Sequence, residues 1–275
     1  MLPPVLVSQR SFVGSRSRNE DCIGVEQSGG HWCLVLSDGA GGHSDGAVAA
    51  RVTVDRVLEG FRSRPPVDAG DLSELLLDAH DAVVAAQRAR GNVHPATAMH
   101  ATVVAMIIDE ETGYAFWGHV GDSRLYLCRE GRVTAMTRDD SVLQWMLDAG
   151  IIDDERDKNI ARRGSLLTAL GADQDVEPHV FGPFVLQACD AFLLCSDGWW
   201  TTLDEVRIDE AICAASSPEQ WLDTMAAVTA RLGDAKQDNY SAIACWIGDR
   251  SELQASDSGT VPVIFPHRGQ GSPRP

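Results

Sequence analysis

The chain has 275 residues, with 40 acidic and 23 basic side chains and a formal net charge of −17. This excess of acid disfavours nucleic acid and anionic membranes as partners, and no cluster of Lys and Arg offsets it. No apolar stretch approaches the ~18 residues of a membrane span. The seven cysteines show neither CxxC nor zinc spacing, which is typical of a reducing compartment. We therefore expect a cytoplasmic globular protein.

The first part of the chain predicts three strands followed by two helices. The strands are expected at residues 5–13, 22–25 and 31–37, with Gly29 and Gly30 in a hairpin turn. Apolar residues at helical spacing then predict one helix over 43–61 and another after Asp71, with Pro65 and Pro66 between them. Two successive helices indicate a helical layer over one face of a sheet.

The second part predicts mainly antiparallel strands joined by short turns, and three more helices. The predicted strands are 101–108, 114–120, 124–128, 132–136, 184–186, 191–195 and 240–247, and the helices are 141–149, 203–215 and 218–232. The charged segment 151–163 has no periodicity, so we interpret it as a mobile surface flap. The pattern predicts one α+β domain over 1–248, with two packed antiparallel sheets and helices outside.

The segment 249–275 is rich in Gly, Ser, Pro and Arg, which is typical of a disordered tail. Its apolar residues 261–265 leave open a short docking strand.

Aspartates mark the ends of several apolar runs. Asp38 and Asp197 each follow a predicted strand within Ser-Asp-Gly, Asp122 follows another, and Asp238 precedes the last. A carboxylate at the end of a buried strand needs a counter-charge, and several that converge need a polyvalent cation. The pattern therefore favours a metal-dependent hydrolase.

Each motif also has a simpler interpretation when it is taken alone. The run Asp38-Gly39-Ala40-Gly41-Gly42-His43 can be an ordinary strand-to-helix turn, but it lacks the third Gly of a dinucleotide loop and the Lys of a P-loop. In Arg16-Ser17-Arg18-Asn19-Glu20-Asp21 the arginine can form a surface ion pair or hold a phosphate. Gly121-Asp122-Ser123-Arg124, Ser196-Asp197-Gly198 and Asp238-Asn239 can each be simple turns.

Taken in order, these motifs resemble the metal-dependent Ser/Thr protein phosphatases of the PPM (PP2C) family, over about residues 8 to 248. Thr137-Arg138-Asp139-Asp140-Ser141 is similar to the family's Thr-x-Asp-His-Ser. The resemblance implies a four-layer αββα sandwich of bacterial stand-alone type. It implies the following roles: Asp38 bridging two metal ions, Gly39 as a carbonyl ligand, Asp197 and Asp238 as further ligands, Glu20 and Asp21 as the acidic pair near the ions, Arg16 on the substrate phosphate, and Asp122 at a third, weaker metal site.

The implied reaction is attack on phosphoserine or phosphothreonine by a water that bridges two Mn²⁺ or Mg²⁺ ions. No protein nucleophile is needed. No cysteine is followed by an arginine at the spacing of a Cys-x5-Arg loop, and Asp173-x-Asp175 lacks the context of an aspartyl-phosphate enzyme. The family assigns a general acid to a histidine, but neither His31, His43 nor His94 is singled out for that role.

Two departures from the family pattern bear on the site. Thr201 stands where the family's Asp-Gly-x-x-Asp has a carboxylate associated with the third metal. Met99-His100-Ala101-Thr102 stands where Met-Gly-Thr-Thr is common, at a strand position. The alternatives left open are a pseudophosphatase that binds a phosphoprotein or kinase, and a hydrolase of a small phosphorylated metabolite. We expect a monomer that opposes a cognate Ser/Thr kinase, with the flap as a selectivity element.

Overall fold

The structure is a computed structural model that describes residues 2–40, 45–91, 98–152, 165–233 and 235–248, and the backbone of 263–264. The predicted flap, from residue 153 onward, and most of the predicted tail therefore lie outside the described residues. The described chain forms two large sheets with helices outside them, as the sequence predicts, and the strands are antiparallel except for the last one. Its strands are β1 Val5–Phe12, β2 Cys22–Ser28, β3 His31–Ser37, β4 Gly39–Ala40, β5 His100–Ala101, β6 Val103–Asp109, β7 Tyr114–Val120, β8 Arg124–Arg129, β9 Arg132–Met136, β10 His179–Val185, β11 Ala191–Cys195, β12 Tyr240–Ile247 and β13 Val263–Ile264.

Six helices complete the described fold: α1 Asp45–Ser63, α2 Ala69–Ala89, α3 Val142–Asp148, α4 Asp197–Trp200, α5 Glu205–Ala214 and α6 Pro218–Leu232. Side chains at four helix starts accept hydrogen bonds from backbone N–H groups in the first turn, as N-caps do. These caps are Asp68, Ser141, Asp204 and Ser217. None of the helices in the described ranges is long and apolar enough to cross a membrane.

The strand order is β1-β12-β11-β8-β9-β13 in the first sheet and β10-β7-β6-β3-β2 in the second, and β4 pairs with β5. A core between the sheets contains Leu36 and Met106 from one sheet with Phe192 and Ile243 from the other. The outer face of the first sheet packs on α4, α5 and α6, and that of the second packs on α1 and α2. Because both faces of each sheet are covered, central strands such as β12 are buried along their whole length.

The predicted elements differ from the structure mainly at their ends. β10 begins at His179, before the predicted start at residue 184, and its pairing with β7 shifts register between Phe181 and Phe184. Gly182 and Pro183 lie at this shift, and both residues weaken a sequence-based strand prediction. The tail residues Val263 and Ile264 pair in parallel with Ala135 and Met136 of β9, which agrees with the docking-strand alternative at these two positions.

Candidate active site

The predicted acidic residues meet at one end of the sandwich because the strands are antiparallel. β2 begins where β3 ends, with Cys22 opposite Ser37, and β12 begins beside the end of β11. The ends of some strands and the starts of others, from both sheets, therefore lie at the same end of the sandwich. A cavity of about 740 Å³ at this end of the sandwich is lined by residues that include Arg16, Glu20, Asp38, Gly39, Asp122, Asp197 and Asp238. Asp21 lies beside this cavity, where its carboxylate interacts with that of Asp38.

The carboxylates of this cluster raise one another's pKa. Burial raises the pKa of Asp38 well above its usual range, and the neighbouring charges of Asp197, Asp21 and Asp122 raise it further. Burial and nearby carboxylates likewise raise the pKa of Asp21 to about 6 and that of Asp197 to about 7. Such shifts mean that the ionised cluster has too little positive charge around it. A divalent cation would supply that charge.

Two carboxylate oxygens in the cluster have no hydrogen-bond partner although they are buried, namely Oδ1 of Asp21 and Oδ1 of Asp197. A buried polar atom without a partner is costly, and hard carboxylate oxygens are the ligands that Mg²⁺ and Mn²⁺ prefer. Within the described ranges, no three His, Cys, Asp or Glu side chains are already arranged around one point as a metal site. The fit to cations therefore rests on the charge of the cluster and on these unpartnered oxygens.

Asp38 is held in place by a residue that the sequence did not single out. Its N–H donates to Oγ1 of Thr102 at 3.0 Å, and the N–H of Thr102 donates to the Asp38 carbonyl at 2.8 Å. The Thr102 hydroxyl also lies 2.6 Å from that of Ser123, which follows Asp122. Thr102 thus joins the end of β3 to the β7–β8 turn and fixes Asp38 relative to Asp122.

Two further side chains fasten the N-terminal acidic pair to the first sheet. Ser196 Oγ donates to Oδ2 of Asp21 at 2.8 Å. The N–H of Glu20 donates to Oδ1 of Asn239 at 2.9 Å, while the amide of Asn239 donates to the carbonyls of Val13 and Arg18. These contacts bring residues from opposite ends of the chain into the same cavity.

Gly39 lies at a close approach between the end of β3 and the start of α1. A Cβ on Gly39 would lie 2.1 Å from the carbonyl oxygen of Gly46. A Cβ on Gly46 would in turn lie 2.7 Å from the Gly39 carbonyl oxygen and 2.8 Å from Oε2 of Glu20. Only glycine fits at both positions. The intervening residues 41–44, including His43, lie outside the described residues.

Arg16 lies at the mouth of the cavity, where its side chain is 57% exposed. Its Nη2 contacts Oδ2 of Asp238 at 2.5 Å. The structure therefore pairs the predicted phosphate-binding arginine with a predicted metal ligand, and contact with a phosphate stays a prediction.

Asp122 reaches the cavity but differs from the other acids in its surroundings. It is only 5% exposed, and its backbone carbonyl accepts a hydrogen bond from the Trp200 indole at 2.9 Å. The hydroxyl of Thr201 donates to the Asp197 carbonyl at 2.6 Å, within α4. Thr201 is not among the described residues that line the cavity. The predicted third metal site thus keeps Asp122 but has no second carboxylate at position 201.

The structure does not single out a general acid among the three histidines considered from the sequence. His31 begins β3, at the opposite end of that strand from Asp38, and its ring contacts the Gly29 carbonyl in the hairpin. His94 and His43 lie outside the described residues.

Known proteins resemble this chain in sequence and in fold. The chain is 32% identical over 207 residues to the serine/threonine protein phosphatase PstP of Mycobacterium tuberculosis, a match that covers 74% of this chain but only 38% of that relative. It is 29% identical over 204 residues to the serine/threonine phosphatase stp of Listeria monocytogenes, with 72% and 78% of the two chains covered.

The structure also superimposes on the catalytic domain of PstP in complex with two manganese ions, with a TM-score of 0.75. The identity is 26%, and the match covers 89% of this chain and 99% of that one. The family model for protein phosphatase 2C matches residues 9–247. The chain therefore belongs to the protein phosphatase 2C family.

Proposed function

We propose that this protein hydrolyses phosphoserine and phosphothreonine on protein substrates with the help of two divalent cations. The observation that carries the proposal is the convergence of acidic side chains from separate strand ends of both sheets into one cavity. Family membership and a relative that binds two manganese ions support the same reaction. The proposal concerns the matched domain, because the chain spans only 38% of the M. tuberculosis relative.

The residues that would hold the cations are Asp38, Asp197 and Asp238, with the Gly39 carbonyl and the acidic pair Glu20 and Asp21 alongside. Their donors are hard oxygens, which favour Mn²⁺ or Mg²⁺ over zinc. When bound, the cations would supply a strong water-derived nucleophile near neutral pH and would offset the charge of the phosphate. A third ion would have only the Asp122 carboxylate of the two that the family pattern provides, because residue 201 is a threonine.

The remaining steps depend on the chain's own side chains. Arg16 would bind the phosphate through parallel N–H donors and thereby orient the ester bond toward the attacking water. Its contact with Asp238 would keep the guanidinium at the mouth of the cavity until substrate binds. No Cys or His is among the described residues that line the cavity, which disfavours a covalent intermediate on either of these residue types.

The proposal is tested with a phosphothreonine peptide and with p-nitrophenyl phosphate, each in Mn²⁺ and in EDTA. We expect turnover only with the metal, and a loss of at least about 100-fold in Asp38→Asn. Asp81→Asn is a matched control, because Asp81 is exposed on α2, far along the chain from the acidic motifs. Full activity in EDTA or in Asp38→Asn would refute the mechanism.

The same assay addresses the two other functions. Well-folded wild-type protein that shows no turnover with either metal would favour a pseudophosphatase. Turnover of small phosphate esters without turnover of any phosphopeptide would favour a metabolite hydrolase. A kinase pathway as partner, a monomeric state, a cytoplasmic location and the domain bounds 1–248 remain predictions from the sequence.

A further inference from the structure

A second cavity adjoins the acidic one. It has a volume of about 490 Å³, within the range of ligand pockets in proteins. Ala40 and Leu166 line both cavities, so the two are neighbours along one surface. We call the second one the adjoining cavity, and it lies close to any phosphorylated residue that is bound in the acidic cavity.

One wall of the adjoining cavity is His100. It pairs with Ala40 in the β4–β5 ladder and lies two residues before Thr102, the residue that holds Asp38. The family pattern commonly has glycine at this position, which has no side chain. The imidazole of His100 is therefore a feature of this chain that departs from the pattern. Burial lowers the pKa of His100, which keeps its ring uncharged near neutral pH. The ring therefore presents an aromatic surface without repelling a cation.

A second part of the lining, within residues 166–174, is fixed to the same strand. The N–H of Ala101 donates to the Leu170 carbonyl at 3.1 Å, and the N–H of Leu170 donates back to Ala101 at 2.8 Å. Gln87 Nε2 donates to the Gly171 carbonyl, and Gln174 Nε2 to that of Leu167. These bonds hold the 166–174 segment against β5, so the cavity is formed before any substrate binds.

The charge and polarity of the adjoining cavity suit a basic side chain. Leu166 and Leu167, the latter 47% exposed, offer apolar surface for an aliphatic stem. Asp173 places a carboxylate at the rim, and no Lys or Arg is among the described residues that line the cavity. A chain with a net charge of −17 also attracts basic partners.

We propose that the adjoining cavity receives an Arg or Lys side chain that flanks the phosphorylated residue of the protein substrate. This inference rests on the proposed phosphatase function. The stem of the side chain would lie along Leu166 and Leu167, its charge would pair with Asp173, and an arginine would stack on the ring of His100. The pocket would select among phosphoproteins by sequence.

The test uses phosphothreonine peptides in which each position flanking the phosphothreonine is, in turn, Arg, Ala or Glu. For wild type we expect one position where Arg raises kcat/KM by about two- to fivefold over Ala, the range of an exposed ion pair. In Asp173→Asn the ratio of kcat/KM for the Arg and Ala peptides should fall toward one, because the ion pair is removed. Asp175→Asn is the matched control, since Asp175 is exposed nearby but does not line the cavity.

The proposal would be supported if the ratio of kcat/KM for the Arg and Ala peptides falls in Asp173→Asn and stays at the wild-type value in Asp175→Asn. A ratio near one in wild type at every position, a preference for Glu, or an unchanged ratio in Asp173→Asn would overturn it. Hydrolysis of p-nitrophenyl phosphate, which has no flanking residue, tests the phosphatase function separately. If wild type hydrolyses nothing, the same peptide ratios are measured as Kd values by fluorescence anisotropy, and the same patterns of ratios support or overturn the proposal.

Discussion

Replacing Asp197 with asparagine should stabilise the metal-free protein, and increasingly so as the pH rises. The pKa of Asp197 is raised from an ordinary 3.8 to about 7, first by burial and then by the charges of Asp238 and Asp21. Between these two values the folded chain holds a proton that the unfolded chain releases, so folding becomes less favourable as the pH rises. Asparagine has nearly the same shape but does not ionise, so the variant lacks this loss of stability with rising pH.

The magnitude follows from the size of the shift. About three pKa units at ~1.4 kcal/mol each give ~4 kcal/mol above pH 7. This is an upper bound because the residue keeps some contact with solvent in the cavity. Near pH 4 the two proteins should differ by only ~0.5 kcal/mol, since Asp197 is then protonated in the folded state and still roughly 40% protonated in the unfolded state.

The assay is urea unfolding of wild type, Asp197→Asn and Asp175→Asn in EDTA from pH 4 to pH 8. The quantity compared is the difference in free energy of unfolding between variant and wild type. The pH dependence of wild type alone is not sufficient, because burial lowers the pKa of His80, His100 and His119 and so makes stability rise with pH over part of the same range. A difference that is constant with pH, or an Asp197→Asn protein that is less stable at pH 8, would refute the electrostatic reasoning.

Three other changes test separate parts of the structure. Gly39→Ala should cost about 1–3 kcal/mol in the free energy of unfolding, because its Cβ would meet the Gly46 carbonyl at 2.1 Å; an unchanged urea midpoint would contradict that close approach. Arg124→Met should cost about 3–5 kcal/mol, because it leaves the buried carboxylate of Asp139 without its two hydrogen bonds of 2.8 and 2.9 Å. The exposed change Arg88→Met is its control, expected within ~0.5 kcal/mol of wild type. Thr201→Asp should raise the number of Mn²⁺ ions bound per chain in titration calorimetry, and an unchanged number would show that position 201 does not limit a third site.

Much of the fold could be predicted from local patterns. The ranges of β3, β7, β9, β11, β12 and α6 agree with the sequence prediction residue for residue. Each is bounded by Gly, Pro or a polar run and has a clear apolar pattern. Elements without such a pattern were missed or shortened. α4 has only four residues, and β10 contains Gly182 and Pro183.

The acidic site was predictable to a similar degree, since Asp38, Asp122, Asp197 and Asp238 stand beside strong strand patterns. The structure brings them together with Glu20 and Gly39 in one cavity. The contacts that position them were not predictable. Thr102 and Ser196 are small polar residues in or beside strands, and nothing in the local sequence distinguishes a structural hydroxyl from one that holds a site residue.

By itself the sequence determined the order of strands and helices, and the acidic residues at the strand ends, because hydropathy periodicity and turn residues are local properties of the chain. Only the tertiary structure decided which of these residues meet. It paired Arg16 with Asp238, separated by most of the chain, and placed His100 in a wall beside the acidic cavity. Such contacts depend on the packing of two sheets and on strand register. Both are set by the whole core, so they cannot be predicted from the sequence near the residues in contact.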